Sequence, residues 1–213
     1  MTDLPNSTVH LQADSVECSR DDRLLFENLS VEVCGGEALI LEGRNGTGKT
    51  TLLRILCGLR RPDEGEVRWS GVPIEECAVD FHRHMVYVGH LDGIKRELTA
   101  LENLRVLQTL SGRGRFSVEE ALDAVKLGGF EDIPVHFLSA GQKRRAALAR
   151  LLVTDARLWV LDEPFTSLDV HGIELVESLM DAHLSAAGAL VMTSHHQVNL
   201  SAGVIKRLNL SEG

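Results

Sequence analysis

The sequence predicts an α/β domain built on a largely parallel sheet. Short apolar runs of strand length alternate with stretches of helical periodicity, and the four clearest runs each end in polar residues or glycine. The length of 213 residues and the 44% hydrophobic content suit one domain with a substantial core and, at most, an inserted lobe. The four runs are "ALILEG" (38–43), "HMVYVGH" (84–90), "RLWVLDE" (157–163) and "ALVMTSH" (189–195). Ligands of parallel sheets gather beyond the carboxyl ends of the strands, so chemistry is expected at those endings. Weaker strands are expected at 9–18, 30–33, 66–69 and 204–210, the early ones antiparallel.

The first strand ending opens "GRNGTGKT" (43–50), which fits G-x-x-x-x-G-K-[ST], and "TTLLRILCGL" follows with helical periodicity. Such a loop turns backbone N–H groups inward around phosphate oxygens, which Gly46 and Gly48 permit, and the helix dipole adds to the attraction. Gly43, Arg44, Asn45, Gly46, Thr47, Gly48, Lys49, Thr50 and Thr51 are therefore the expected nucleotide-binding residues. Lys49 would bridge the β- and γ-phosphates and Thr50 would turn its hydroxyl to Mg²⁺. Chance alone would place the four fixed positions in roughly one chain per hundred of this length, before the strand-to-helix context is counted.

From 91 to 155 the strand signal vanishes. "TALENLRVLQTL" (99–110) starts with a Thr99/Glu102 capping box, and "SVEEALDAVKLGG" (117–129) with a Ser117/Glu120 box, the second helix ending at Gly128. The stretch reads as a helical lobe inserted into a core made of 1–90 and 156–213. A third capping box, Ser139 with Gln142, opens "LSAGQKRRAALAR" (138–150). Lys143, Arg144 and Arg145 follow at once, in the first turns, where the helix dipole disfavours cations. They either reach into water or sit beside something anionic.

The third strand ends in Asp162 and Glu163, which suits a phosphate loop lying opposite. Asp162 can hold Mg²⁺, and Glu163 can take a proton from the water that attacks a γ-phosphate. The fourth strand ends at His195 and His196, and His195 is placed to hydrogen-bond that phosphate.

A net charge of −9 argues against broad nucleic-acid binding and against a polybasic membrane anchor. Arg150, Asp155 and Arg157 break up the longest apolar candidate for a membrane span. The opening "MTDLPNSTVH" has no basic and apolar regions of a secretory signal, so a cytoplasmic location is expected. Cys18, Cys34, Cys57 and Cys77 form no metal spacing and read as free, mostly buried thiols.

Together the loop at 43–50, "LSAGQ" (138–142), "LWVLDEP" (158–164), "SLD" (167–169) and His195 closely resemble the ABC ATPases in order and separation. The resemblance implies a P-loop NTPase core of ABC ATPase type with an antiparallel β subdomain and an inserted helical subdomain. It also implies a head-to-tail dimer that sandwiches two ATP molecules. Each ATP would be held by Lys49 of one copy and by Ser139, Ala140, Gly141 and Gln142 of the other, with Ser167, Leu168 and Asp169 at the dimer contact. Glu163 and His195 would be catalytic, and Thr50, Asp162 and His90 would serve the metal. The γ-phosphate of the neighbouring copy's ATP would then be the anion at the Ser139 helix end.

Within that group, "VGHLDGIKRELTALENL" (88–104), "GFEDIPVHFLSAGQKRRAALARL" (129–151) and "LWVLDEPFTSLDVHG" (158–172) resemble the CcmA family, ATP-binding subunits of the haem exporter in bacterial c-type cytochrome maturation. That resemblance implies membrane subunits CcmB, CcmC and CcmD, a peripheral place on the cytoplasmic face of the inner membrane, and ATP turnover linked to release of a haem-loaded chaperone. No direct haem binding is expected, because the chain has no C-x-x-C-H and His82, His84 and His90 read as surface or structural residues. Another small-substrate exporter is the alternative, and a soluble nucleotide switch a weaker one, since the chain has one cassette and no heptad stretch.

Three positions depart from the wider ABC pattern. Ala140 stands where Gly is usual, and His90 where a Gln usually reaches the metal. Arg20 falls roughly where an aromatic residue often stacks on adenine; its guanidinium either stacks on the base or is an exposed turn residue.

Overall fold

The computed structural model describes residues 9–21, 23–112 and 114–211. Most of the opening stretch read for a leader, residues 1–8, lies outside them. Two sheets form. The first is antiparallel and takes β1 (His10–Arg20), β2 (Arg23–Cys34), β4 (Glu64–Trp69) and β5 (Val72–Pro73) in the order β2-β1-β4-β5. The second is parallel throughout and takes β3 (Glu37–Glu42), β6 (Met85–Val88), β7 (Leu158–Asp162), β8 (Ala189–Thr193) and β9 (Val204–Asn209) in the order β6-β7-β8-β3-β9. Helix α1 (Lys49–Leu56) follows β3, and α2 (Ala78–His84) precedes β6. Helices α3 (Ala100–Ser111), α4 (Val118–Ala124) and α5 (Ala140–Leu148) lie between β6 and β7, and α6 (Val170–Ser185) joins β7 to β8.

Strands β3, β6, β7 and β8 read as apolar runs because both faces of the sheet are covered there, whereas edge strand β9 carries Lys206 and Arg207. Alternation then divides each strand between two cores. Ile40, Val86, Val88, Trp159, Leu161, Leu190 and Met192 face one core together with residues of α3 to α6. Leu39, Leu41, Leu158, Val160, Ala189 and Val191 face the other, against Leu52, Leu53, Ile55 and Leu56 of α1 and the inner face of the antiparallel sheet. Residues 91–155 thus share a core with one face of the parallel sheet and do not close a core of their own.

The four clear strands lie where the sequence puts them, and three differences are instructive. β2 begins at Arg23, well before the expected 30, because its first half is mostly exposed and is held by pairing to β1, with Phe26 opposite Cys18 and Leu24 opposite Ser19. Its apolar run, Leu24–Phe26, is three residues long and is followed at once by Glu27 and Asn28. Helix α4 stops at Ala124, short of Gly128: Lys126 takes the left-handed conformation at φ 58°, and the Leu127 N–H donates to the Leu122 carbonyl at 2.8 Å. Burial of Leu127 drives that ending, a Schellman turn without the usual glycine. Short α2 was not expected at all; its one fully buried side chain, Phe81, packs on Trp69 with 5.5 Å between ring centroids.

At the opposite end of the sheet from the polar strand endings, His183 of α6 stacks on Trp159 with 3.8 Å between centroids and 9° between planes. Its Nε2 donates to the Ala189 carbonyl at 3.2 Å. Burial pushes the imidazole pKa down to about 4, so the folded ring is neutral at pH 7. An unfolded histidine titrates near 6.5. This contribution to stability is therefore complete above that pH and is lost as the pH falls through 6.5 towards about 4, where the unfolded chain binds a proton that the folded chain refuses. Urea denaturation should show a loss of about 1–2 kcal/mol from this group between roughly pH 6.5 and 5. His183→Phe, which keeps the stacked ring, should flatten the slope in that window; an unaltered slope would assign it to other groups.

Candidate functional site

Three of the strand endings meet at one cleft. The chain leaves β3 at Glu42, turns through Gly46 at φ 83° and Gly48 at φ 99°, and enters α1 at Lys49. Gly48 is the helix N-cap and brings no side-chain cap, so the first N–H groups of α1 are left to an anion. A Cβ on Gly48 would sit 3.2 Å from Cβ of Leu25 and 3.3 Å from the Phe26 ring, so this position needs glycine for space as well as for its backbone angle. Lys49 is 8% exposed, and its Nζ donates to the carbonyls of Gly43 at 2.7 Å and Arg44 at 3.1 Å. The ammonium is thereby aimed along the loop before any ligand arrives.

The Thr50 hydroxyl donates to Asp162 Oδ2 at 3.0 Å across from the end of β7. Asp162 is buried, and its Oδ1 accepts from the Thr193 hydroxyl at 2.8 Å. The next residue, Glu163, adopts φ 51°, the left-handed region that costs a non-glycine residue roughly 1–2 kcal/mol. Its N–H donates to Thr193 Oγ1 at 2.9 Å, and its Oε1 lies 3.2 Å from His195 Nε2. His195 is half-exposed, whereas Glu163 is 19% exposed.

The cleft has a volume of about 480 Å³ and is lined by Arg20, Asn45, Gly46, Gly48, Lys49, Thr50, Thr51, His90, Asp162, Glu163 and His195. Leu25 and Thr166 complete the lining, and neither was expected. The donor set fits a polyphosphate: an uncapped helix N-terminus, a buried ammonium and a wide mouth. It also fits Mg²⁺, since a hydroxyl and a carboxylate converge and a hard cation that retains water needs few protein oxygens. Gly43, Arg44 and Thr47 shape the loop from behind, Thr47 Oγ1 donating to the Arg44 carbonyl at 3.0 Å. Arg20 is 68% exposed and pairs with Asp21 at 3.4 Å, at the rim.

Residues 139–142 do not line this cleft. Ser139 and Ala140 are exposed at the start of α5, where Ser139 Oγ accepts from the Gln142 N–H at 3.2 Å and Gln142 Oε1 accepts from the Ser139 N–H at 2.9 Å. The Ser139 hydroxyl proton remains available to a ligand. A Cβ on Gly141 would lie 3.0 Å from the Ser167 carbonyl, while Ala140 carries its methyl group into open solvent. Asp169 caps α6 by accepting from the Gly172 N–H at 2.8 Å, and Ser167 turns the preceding loop at φ 66°.

None of the three cations after Gln142 is left to water, and each finds backbone oxygens. Lys143 Nζ donates to the His136 carbonyl at 3.2 Å, and Arg145 Nη1 to the Lys126 carbonyl at 3.2 Å. Arg144 is 3% exposed and spends its whole guanidinium. Nε donates to the Pro164 carbonyl at 3.1 Å, and Nη2 to those of Asp162 at 2.9 Å and Glu163 at 2.7 Å. Nη1 donates to the Gly89 carbonyl at 2.9 Å and to Asp92 Oδ1 at 3.3 Å. Sequence reasoning missed Arg144 and Thr193 as parts of the site. The one signal for Arg144 was the cation run where the helix dipole disfavours it; for Thr193 it was a hydroxyl ending an otherwise apolar strand.

The ABC transporter family profile matches residues 26–166. The chain is 50% identical over 213 residues to the cytochrome c biogenesis ATP-binding export protein CcmA of Methylococcus capsulatus, covering 99% of this chain and 100% of that one. It is 46% identical over 202 residues to the CcmA of Escherichia coli, covering 95% and 97%. Among solved structures it resembles an ABC transporter ATP-binding protein from Pyrococcus furiosus, with a TM-score of 0.81 at 24% identity over 95% and 98% of the two chains. The cassette MJ0796, solved as a dimer bound to ADP and Pi, gives 0.77 at 24% identity over 87% and 88%.

Arg144→Met should destabilise the fold by about 3–5 kcal/mol in urea titration, because the carbonyls of Asp162 and Glu163 and the Asp92 carboxylate lose their cation together. Arg144→Lys, a point charge without the planar fork, should recover only part of the loss. A denaturation midpoint unmoved by either change would mean that water replaces the guanidinium.

Proposed function

The chain belongs to the ABC transporter family and, within it, to the CcmA proteins of cytochrome c biogenesis, and from that premise we propose that it is the ATP-hydrolysing subunit of a membrane ABC complex for haem export. ATP turnover by this subunit would drive release of the haem-loaded chaperone. One observation carries the site reading: Lys49, Thr50, Asp162, Glu163 and His195, drawn from three strand endings, line a single cleft that residues 139–142 of the same chain do not reach.

In this reading the N–H groups of the loop and Lys49 hold the β- and γ-phosphates. Glu163 accepts the proton of the attacking water, and His195, already within 3.2 Å of Glu163, orients that water against the γ-phosphate. Mg²⁺, when bound, would neutralise charge developing on the phosphates, with Thr50, Asp162 and, at the cleft wall, His90 as its nearest protein groups. Arg20 would lie over the adenine at the rim.

The exposed Ser139 end of α5 supports a head-to-tail pair of copies in which Ser139, Ala140, Gly141 and Gln142 close over the ATP of the partner, with Ser167, Leu168 and Asp169 at the same contact. CcmB-, CcmC- and CcmD-like subunits are the proposed membrane partners, met near residues 90–102. Among the described residues no helix is long and apolar enough to cross a membrane. Attachment to the cytoplasmic face of the inner membrane is proposed to run through those partners.

Glu163→Gln should slow hydrolysis by 10²-fold or more while leaving ATP binding intact, and should co-purify from membranes as a stable ATP-bound complex with such subunits. A protein that neither turns over ATP nor associates with membranes would sink the reading. Pairing in trans has its own test. In a purified heterodimer, a Ser139→Arg copy paired with a Lys49→Ala copy puts both lesions in one site and should leave the other working. The purified heterodimer of the double mutant with wild type should have none. The reverse, no working site in the first heterodimer and one in the second, would mean that each site is built within one chain.

A further inference from the structure

We propose that Thr193 is a positioning residue that keeps the two adjacent carboxylates, Asp162 and Glu163, on the same cleft in different tasks; this rests on the ATPase reading above. Consecutive residues of an extended strand point to opposite faces of the sheet, so Asp162 and Glu163 would diverge if β7 simply continued. Both nonetheless line the cleft, because the chain turns at Glu163 with φ 51°. That conformation is unfavourable for glutamate and persists only where its surroundings fix it.

The fixing comes from two sides. Arg144 holds the carbonyls of Asp162, Glu163 and Pro164. Thr193 holds the opposite polar groups through a single oxygen: its proton goes to Asp162 Oδ1 at 2.8 Å, and its lone pair accepts the Glu163 N–H at 2.9 Å. In the sheet Thr193 stands in register between Leu41 of β3 and Asp162 of β7, and it is fully buried. Packing alone would favour valine as the last residue of this apolar strand, whose other four side chains are Ala189, Leu190, Val191 and Met192. The hydroxyl adds two directed bonds. One binds Oδ1 and leaves Oδ2 as the oxygen nearer the Thr50 hydroxyl, at 3.0 Å against 3.3 Å for Oδ1, which sets the face that Asp162 offers to a cation. The other pins the amide from which the Glu163 side chain departs towards His195.

The test uses the full chain and two pairs of variants that differ by the hydroxyl: Thr193→Val against wild type, and Thr193→Ala against Thr193→Ser. The second pair decides the matter if valine disturbs folding. Affinity for a fluorescent ATP analogue in EDTA should stay within twofold throughout. Without the hydroxyl, kcat should fall tenfold or more with KM for ATP little changed. The Mg²⁺ concentration that gives half-maximal tightening of analogue binding should rise at least threefold. Hydrogen exchange at the Glu163 amide should accelerate at least tenfold. Serine should restore all three to within threefold of wild type. Serine behaving like alanine, or valine behaving like wild type, would overturn the proposal. A wild type that binds no nucleotide would instead overturn the ATPase reading, and the Glu163 exchange rates would still decide the role of Thr193.

Discussion

The backbone turn at Glu163 is the constraint on which the site depends. A strand that ends in two carboxylates presents one of them to each face of its sheet, and only a turn of unusual hand brings both to the same cleft. The left-handed conformation at φ 51° costs roughly 1–2 kcal/mol. Hydrogen bonds from a charged group to the turn's carbonyls contribute about 1.5–3 kcal/mol each, so each Arg144 bond is comparable with that cost, while desolvation of the buried guanidinium opposes them. The turn is thus stable only while α5 stays docked against the end of β7.

That docking joins two surfaces that look unrelated along the chain. The first turn of α5 displays Ser139 to solvent, and one turn later the same helix inserts Arg144 beneath the acidic strand ending and the 89–92 segment. The conflict between a cation run and a helix N-terminus disappears once the partners are seen. Carbonyl oxygens and the Asp92 carboxylate surround the positive charges, and their attraction at contact distance exceeds the repulsion of a half-charge at the helix end. The capping box is undisturbed because Ser139 and Gln142 satisfy each other's backbone N–H groups.

The sheet makes the site possible by being covered twice. Alternate residues of β3, β7 and β8 anchor one core with α3 to α6 and another with α1 and the antiparallel sheet, so the strand ends cannot slide relative to one another. A slip of one residue in β8 would exchange the two faces and carry Thr193 away from Asp162. The precision of two hydrogen bonds at the strand end therefore derives from packing along the whole strand.

Local sequence determined the four clear strands, the three capping boxes and the glycine-rich loop at 43–50, because each is written in residues close together: an apolar run, a Ser or Thr three places before Glu or Gln, glycines at fixed spacing before Lys49. It also marked Asp162, Glu163 and His195 as candidates, since each ends such a run. Only the tertiary structure decided that β2 starts at Arg23, where pairing more than apolarity makes the strand, and that α4 stops at Ala124, where burial of Leu127 outweighs the lack of a glycine at Lys126. It alone gave Arg144 and Thr193 their places, as their partners lie 18 to 55 residues away along the chain. Periodicity and propensity report what a residue does with its neighbours in sequence. A buried guanidinium closing on carbonyls of two other segments is a property of the folded arrangement and leaves only a misplaced charge for the sequence to show.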